Sequence, residues 1–101
     1  MKCINCGKPI RIPKHIEQVY VHQCGTEYYV MAGDQGDVLE SILDYLDLML
    51  PSELEHICMS DNKIEVEHRG KRITAVLLEN SREDIENFEN FGIDLWMVFI
   101  F

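Results

Sequence analysis

The amino-acid sequence predicts an α+β domain that combines an N-terminal β-hairpin with a small antiparallel sheet and two to three helices. Three observations lead to this expectation. Cysteine and glycine pairs mark the first 25 residues, apolar residues then recur at three- and four-residue spacing, and a later stretch alternates between polar and apolar positions. A chain of 101 residues favours a single domain, residues 1–101.

The N-terminal hairpin is expected to begin with a metal-binding knuckle. Residues 1–8 hold two cysteines separated by two residues and followed by glycine. Two stretches rich in Val and Tyr, residues 17–23 and 26–31, then have the composition of strands. The pair Cys24-Gly25 lies between them, so these stretches are predicted to form a hairpin around that turn.

The first long helix is predicted to open at Asp37. This residue can cap the first turn, and Glu40 follows three positions later, as in a capping box. Pro51 ends the helical pattern. The expected apolar face consists of Val38, Leu39, Ile42, Leu43, Leu46, Met49 and Leu50.

Two further helices are predicted from caps. Ser52 with Glu55 has the spacing of a capping box, which indicates a short helix that ends near Cys58. Ser81 suggests the start of a third helix, and Gly92 would end it.

Three strands complete the expected body. Residues 63–68 alternate between polar and apolar, which is the pattern of a half-buried strand. Arg69-Gly70 forms a turn, and residues 71–78 return as the second strand of a hairpin. The last segment, residues 93–101, is so rich in bulky residues that it fits a strand covered on both faces.

The cysteine pattern predicts a structural zinc site. Zinc binds thiolate and imidazole tetrahedrally, and a structural site takes four protein ligands. Cys3 and Cys6 fit one half of such a site, and Cys24 fits the other. Val21 stands where a further cysteine would be expected, so His22 is the nearest substitute. Residues 22 and 24 point to the same side of an extended strand, and both can reach one ion.

The fourth ligand is nevertheless open at this stage, because Cys58, His15 and His56 compete with His22. The alternative to a metal site is a set of free thiols. With four protein ligands the ion has no open position for water, which disfavours catalysis at the metal. The loss of one thiolate is expected to unfold at least the first 30 residues.

The charge is distributed unevenly along the chain. The net charge is −9, but residues 1–31 hold four basic and two acidic residues, whereas residues 32–101 hold five basic and sixteen acidic residues. The loop at residues 32–36, where the sign changes, divides a knuckle subdomain from an acidic body. Such a body repels free nucleic acid and favours a partner with a basic surface.

The first helix carries an acidic row, which we define as Glu40, Asp44 and Asp47. These residues lie at positions i, i+4 and i+7, opposite the leucines, and the helix has no lysine or arginine to offset their repulsion. Their carboxylates would repeat every ~5 Å along a helix. The row can therefore occupy a basic groove, and the simpler interpretation is a solvated helix face.

No catalytic constellation is visible in the sequence. His15, His56 and His68 have no partner motif, and no glycine-rich phosphate loop is present, so the protein is not expected to be an enzyme. Trp96 and the closing residues 99–101 are expected in the core. The chain is expected to be a monomer or a weak homodimer, and to be cytoplasmic, where cysteine pairs more often bind metal than form disulfides.

The residues of the knuckle carry a resemblance to known proteins. Cys3-x-x-Cys6-Gly7 together with His22-x-Cys24-Gly25 resembles the zinc-ribbon and zinc-knuckle class over about the first 25 residues. The whole chain resembles small, acidic, phage-encoded anti-CRISPR proteins, particularly metal-containing inhibitors of type II systems, in its size, charge and cysteine set. This resemblance implies an inhibitor in the host bacterial cytosol that binds a Cas nuclease, whose basic channels hold nucleic acid.

A second function remains open from the residues alone. A zinc-ribbon regulatory module would bind nucleic acid or the transcription machinery through the basic residues near the knuckle. These are Lys2, Lys8, Arg11 and Lys14.

Overall fold

The computed structural model describes residues 2–11, 15–78 and 94–101, and its centre is one antiparallel sheet of six strands. The strand order across the sheet is β1-β2-β6-β5-β4-β3. One α-helix, α1 at Gln35–Tyr45, and one 3-10 turn at Pro51–Glu53 are the helical segments in the described part of the chain. The strands are β1 Tyr20–Val21, β2 Glu27–Ala32, β3 His56–Ser60, β4 Lys63–His68, β5 Lys71–Leu78 and β6 Leu95–Ile100.

The predicted α+β class with two to three helices is therefore wrong. The helix expected from Ser52 to Cys58 is one 3-10 turn followed by strand β3. Ile57 and Met59 occupy alternate positions, which is the period of a strand, and this segment pairs with β4 along its length. The strand pairing outweighs the helix-cap spacing at Ser52. The helix expected between Ser81 and Gly92 lies outside the described residues.

Helix α1 begins earlier than predicted. Asp34, not Asp37, is its N-cap, and the two residues form the capping box: the Asp34 side chain accepts the Asp37 N–H at 2.9 Å, and the Asp37 side chain accepts the Asp34 N–H at 3.0 Å. This capping box has the three-residue spacing predicted for Asp37 and Glu40, but it lies three residues earlier in the chain.

The helix also ends earlier than its apolar pattern. Asp47 adopts φ 58°, and the N–H of Leu48 bonds to the carbonyl of Leu43 at 2.9 Å, which is the hydrogen bond of a Schellman motif. The chain turns away at this point. Met49 and Leu50, expected on the apolar face, are therefore 89% and 59% exposed.

The two predicted hairpin strands, 63–68 and 71–78, are correct, and so is the turn between them. The final strand, β6, is buried along its whole length because it lies between β2 and β5 with both faces covered. This central position explains the unbroken run of bulky residues. No helix in the described segments is long and apolar enough to cross a bilayer.

The sheet has two different faces. Helix α1 covers one, here called the helix face, where Val38 and Ile42 belong to the same buried cluster as Trp96 and Val98. The N-terminal segment lies against the other, here called the knuckle face, and its core members are Cys3, Ile10, Tyr28, Val30, Leu78, Leu95, Met97 and Phe99. The Trp96 indole N–H donates to the carbonyl of Gly33 at 3.0 Å, which links β6 to the start of α1.

Candidate metal centre

Four side chains converge at the N-terminal end of the protein. One ligand atom from each lies within 4.8 Å of the others. The Sγ atoms of Cys3 and Cys24 are 3.8 Å apart. With Zn–S bonds of about 2.3 Å, two sulfurs on a tetrahedral zinc ion would be separated by about 3.8 Å, so the spacing fits that ion. The structure thus forms a cluster that can bind a metal, and its members are Cys3, Cys6, His22 and Cys24.

Two loops with similar backbone hydrogen bonds present these ligands. In the first, the Gly7 N–H donates to the Cys3 carbonyl and the Cys3 N–H donates to the Lys8 carbonyl, both at 2.8 Å. In the second, the Gly25 N–H donates to the His22 carbonyl and the His22 N–H to Thr26, again at 2.8 Å. His22 thus occupies the place that Cys3 has in the first loop, although its spacing to the next ligand is shorter.

The glycines have a direct role in these loops. Gly7 and Gly25 adopt φ +76° and +92°, a backbone region that side chains with a Cβ rarely adopt. Each glycine turns the chain back immediately after a cysteine, so that the two ligands of each loop face the same point.

His22 provides an independent indication that the cluster can bind a metal. Its Nε2 atom is buried and has no hydrogen-bond partner among the described residues. A buried polar atom without a partner costs on the order of 1–3 kcal/mol. A metal ion coordinated by this nitrogen would remove that cost. The set of three thiolates and one imidazole is one that zinc favours.

A chain of hydrogen bonds orients the cluster from outside. Asn5 Nδ2 donates to Thr26 Oγ1 at 3.0 Å, and this oxygen lies 3.2 Å from Cys24 Sγ. Since Asn5 supplies one hydrogen to the oxygen, the Thr26 hydroxyl hydrogen is available to the Cys24 thiolate. Hydrogen bonds from the side chain and backbone of Thr26 lower the pKa of the Cys24 thiol from 9.0 to about 6, which favours the form that binds metal.

The knuckle is attached to the sheet next to the cluster. Cys3 is 2% exposed and Ile10 is 9% exposed, and both belong to the core of the knuckle face with Tyr28 and Phe99. Tyr20 of β1 stacks on Tyr28, with ring centroids 5.8 Å apart. A bound ion would therefore join two loops that the sheet already supports on one side.

The competing fourth ligands lie elsewhere. Cys58 and His56 are in β3, the opposite edge of the sheet from β1. Five strand spacings separate these edges, about 24 Å. His15 is exposed and is not a member of the cluster. The geometry therefore favours His22.

The acidic row is only partly formed. Glu40 and Asp44 are exposed on α1, one helical turn apart. Asp47 lies beyond the end of the helix in a left-handed conformation, so it does not continue the row at helical spacing, contrary to the expectation. The physical reason is the Schellman motif described above. Neither the Glu40 nor the Asp44 carboxylate has a hydrogen bond or ion pair within the described part of the chain.

Other acidic residues near the helix have structural roles. Asp34 and Asp37 form the capping box. The Glu53 carboxylate accepts the N–H groups of Leu50 and Met49 at 2.9 and 2.8 Å, and these bonds lower its pKa. The sequence did not single out Glu53 for such a role.

The basic residues of the alternative function lie near the knuckle in the sequence. Lys2, Lys8 and Arg11 are exposed around the knuckle, and Lys14 lies outside the described residues.

Asn5 and Thr26 were missed by the sequence reasoning. Their only signal was position, since Asn5 lies between two ligands and Thr26 follows the second glycine.

Comparison with known proteins adds no relative: no protein-family model, no curated protein and no solved structure matches the chain.

Proposed function

We propose that the protein is a non-enzymatic, zinc-containing binding protein. In this proposal one zinc ion, held by the four-ligand cluster, fixes the N-terminal loops against the sheet, and the acidic surface of α1 engages a basic protein that handles nucleic acid. The observation that carries the proposal is the convergence of three thiols and one imidazole with zinc-like spacing.

A structural role for the ion follows from its ligand count. Four protein ligands complete a tetrahedral shell and leave no position for a reactive water. Catalytic zinc sites keep one position open. The cluster therefore favours a stabilising ion over a catalytic one.

The charge distribution supports a basic partner. Residues 32–53 carry six acidic residues and no basic one. Glu40 and Asp44 have no structural role among the described contacts, whereas Asp34, Asp37 and Glu53 do. A helix under selection for stability alone would mix charges of both signs, because like charges at this spacing repel. A basic groove would turn this repulsion into attraction.

The narrower proposal is a type II CRISPR effector nuclease as the partner. It rests on the resemblance to metal-containing anti-CRISPR proteins, and on the basic channel that such nucleases offer to an acidic surface. Inhibition would then follow from occupation of the channel in place of nucleic acid.

Metal content and partner binding test separate parts of the proposal. Native mass spectrometry of the protein purified from zinc-containing medium should show one bound zinc ion, which Cys24→Ser abolishes and Cys58→Ser retains. Only apo protein would contradict the zinc site. A pull-down with the nuclease, with and without guide RNA, tests the partner.

Two variants with equal charge change make the partner test specific. Glu40→Lys with Asp44→Lys reverses the row on α1, whereas Glu65→Lys with Glu67→Lys reverses two residues of β4, whose side chains point to the knuckle face. The first should weaken binding at least about tenfold and reduce its salt dependence. If both variants lost binding affinity equally, or if neither lost any, the helix surface would not be the contact. Retention of labelled nucleic acid by the protein alone in a gel shift would favour the regulatory module instead.

A further inference from the structure

Strand β3 is an edge of the sheet, and its own sequence lacks the residues that usually protect edges. Within the described part of the chain it pairs with β4 on one side only. All five of its residues are exposed, and none is proline, lysine or an acid. The opposite edge, β1, is only two residues long. Short edge strands resist further pairing, whereas an exposed apolar edge invites it.

The backbone groups that β3 presents outward can be identified from the register. The Leu77 N–H donates to the carbonyl of Asn62 at 2.9 Å, so residues of β4 with even numbers direct their backbone groups towards β5. The odd-numbered residues of β4 direct their backbone groups towards β3. Glu65, for example, is paired with Cys58. The backbone groups of Ile57 and Met59 therefore point away from the sheet.

The side chains of these two residues add an apolar surface to the edge. Ile57 and Met59 are 39% and 42% exposed, and their register with Val66 and Ile64 places them on the helix face. Cys58 points to the knuckle face, as its partner Glu65 does. The edge thus offers two apolar side chains on one face and a thiol on the other.

The charge near this edge is unlike that of the rest of the protein. Residues 54–78, which include β3, β4 and β5, hold four acidic and four basic residues. Residues 32–53 hold a net charge of −6. Two copies of a protein with net charge −9 repel each other least where their local charge is zero. The segment that holds β3, β4 and β5 meets this condition, because its acidic and basic residues are equal in number.

We propose that β3 pairs with β3 of a second copy, antiparallel, about a two-fold axis at Cys58. This register places Ile57 opposite Met59 of the second copy, and the reverse. Each of these two pairs exchanges two backbone hydrogen bonds, so four form in total. The two sheets become one continuous sheet of twelve strands. Symmetry fits because a two-fold interface must be complementary to itself.

The strand satisfies that condition residue by residue. An apolar side chain meets an apolar side chain at both Ile57–Met59 contacts. His56 lies opposite Ser60 of the second copy, so no pair in the contact places two like charges together. A contact through one five-residue strand belongs to the small interfaces, below about 1,200 Å². The dimer is therefore weak and depends on concentration, and the metal cluster lies at the far edge, outside the contact.

Paired charges at the two central positions test the register. Ile57→Lys with Met59→Lys places like charges opposite each other in both pairs, and should raise the dimer Kd in sedimentation equilibrium at least about tenfold. Ile57→Lys with Met59→Glu places Lys opposite Glu in both pairs and should restore much of the affinity. Val21→Lys, at the exposed opposite edge, should leave the Kd unchanged.

A disulfide provides the second measurement. In this register the two Cys58 residues form a non-hydrogen-bonded pair, with Cα atoms about 4.5 Å apart. That separation lies within the range of disulfides. Oxidised glutathione should convert the two thiols of zinc-loaded protein to one intermolecular disulfide, and is itself reduced to two thiols. Cys58→Ser should abolish this cross-link, whereas the cross-link should still form in Val21→Lys.

Several results would overturn the proposal. One is a protein that stays monomeric at its highest soluble concentration. Another is a dimer whose Kd is the same in the Lys–Lys and Lys–Glu variants. A dimer weakened by Val21→Lys alone would place the contact at β1. Circular dichroism of every variant confirms that the fold is retained, and zinc content shows that the far edge is intact.

Discussion

The knuckle and the sheet body are stabilised in different ways. Among the described residues from 2 to 26, only Cys3, Ile10 and Thr26 are buried. In the body, every residue of β6 is buried, and α1 adds a second layer on the helix face. The body therefore depends on apolar burial, whereas the knuckle has few buried side chains, and we expect its two loops to depend on a bound metal ion. The difference implies two parts that should fail separately.

The largest expected effect is the loss of one thiolate. Cys24→Ser should abolish zinc binding and release the two ligand loops, because structural zinc contributes on the order of 10 kcal/mol of apparent folding free energy in small metal-binding peptides. Hydrogen exchange should increase within residues 2–26, while β4, β5 and β6 remain protected. Cys58→Ser, which changes a thiol outside the cluster, should alter neither property. Loss of protection throughout the sheet would show that the two parts are one cooperative unit.

A cavity in the core should produce the opposite pattern. Ile42 is 0% exposed and packs in the core of the helix face. Ile42→Ala should lower the free energy of unfolding by about 2–5 kcal/mol in urea. Zinc stoichiometry of the remaining folded protein should be unchanged. Met49→Ala, at a position 89% exposed, is the control and should change stability by less than about 0.5 kcal/mol. If Ile42→Ala lost zinc at urea concentrations where it is still folded, the knuckle and the sheet body would not be independent parts.

A change in the hydrogen bonds around the ligands should have a smaller effect. Thr26→Val keeps the shape of the side chain but removes the hydroxyl beside Cys24 Sγ. Zinc affinity, measured by competition with a chelator, should fall about 10- to 100-fold, as is typical when a group that orients a metal ligand is lost. Thr74→Val, at a similarly buried threonine of β5, controls for the removal of a hydroxyl elsewhere. Equal affinity in both variants would mean that Thr26 does not orient the site.

The smallest expected effect concerns the loop after α1. The folded-state pKa of Glu53 is lowered by hydrogen bonds from the N–H groups of Leu50 and Met49. Its contribution is therefore fully present above the ordinary carboxyl value of 4.5, and is lost as the pH falls through the lowered folded-state value. The Tm of the wild type should exceed that of Glu53→Gln at neutral pH, and the gap should close on acidification. If the difference in Tm between the two proteins did not depend on pH, the stabilisation would not come from the charge of the Glu53 carboxylate.

The local parts of the fold could be predicted well. The β4–β5 hairpin was readable because its alternation and its Arg69-Gly70 turn agree with its final structure. The burial of β6 was readable from its unbroken bulky run. The candidate ligands were readable too, since cysteine pairs next to glycine have few other roles. The choice of His22 over Cys58 was not, because it depends on the distance between two edges of a sheet.

The errors have specific physical causes. Ser52 with Glu55 has the spacing of a helix cap, but β3 gains its hydrogen bonds from β4, a partner that a local pattern does not show. The apolar pattern of α1 continues to Leu50, yet the Schellman motif turns the chain at Asp47. That turn also removes Asp47 from the acidic row. The first error arises because pairing with another segment outweighs local preference, and the second because a local motif ends the helix before its apolar pattern does.

The sequence by itself determined the ligand types, the segregation of charge and most strand positions, because each depends on residues that are close along the chain. Only the tertiary structure decided the strand order, in which β2 and β5 enclose β6, and with it which edge is left open. It also brought His22, whose Nε2 atom is buried and without a partner among the described residues, into the group of thiols. Such arrangements depend on pairings between distant segments, whose free energy is set by the whole sheet rather than by any local stretch.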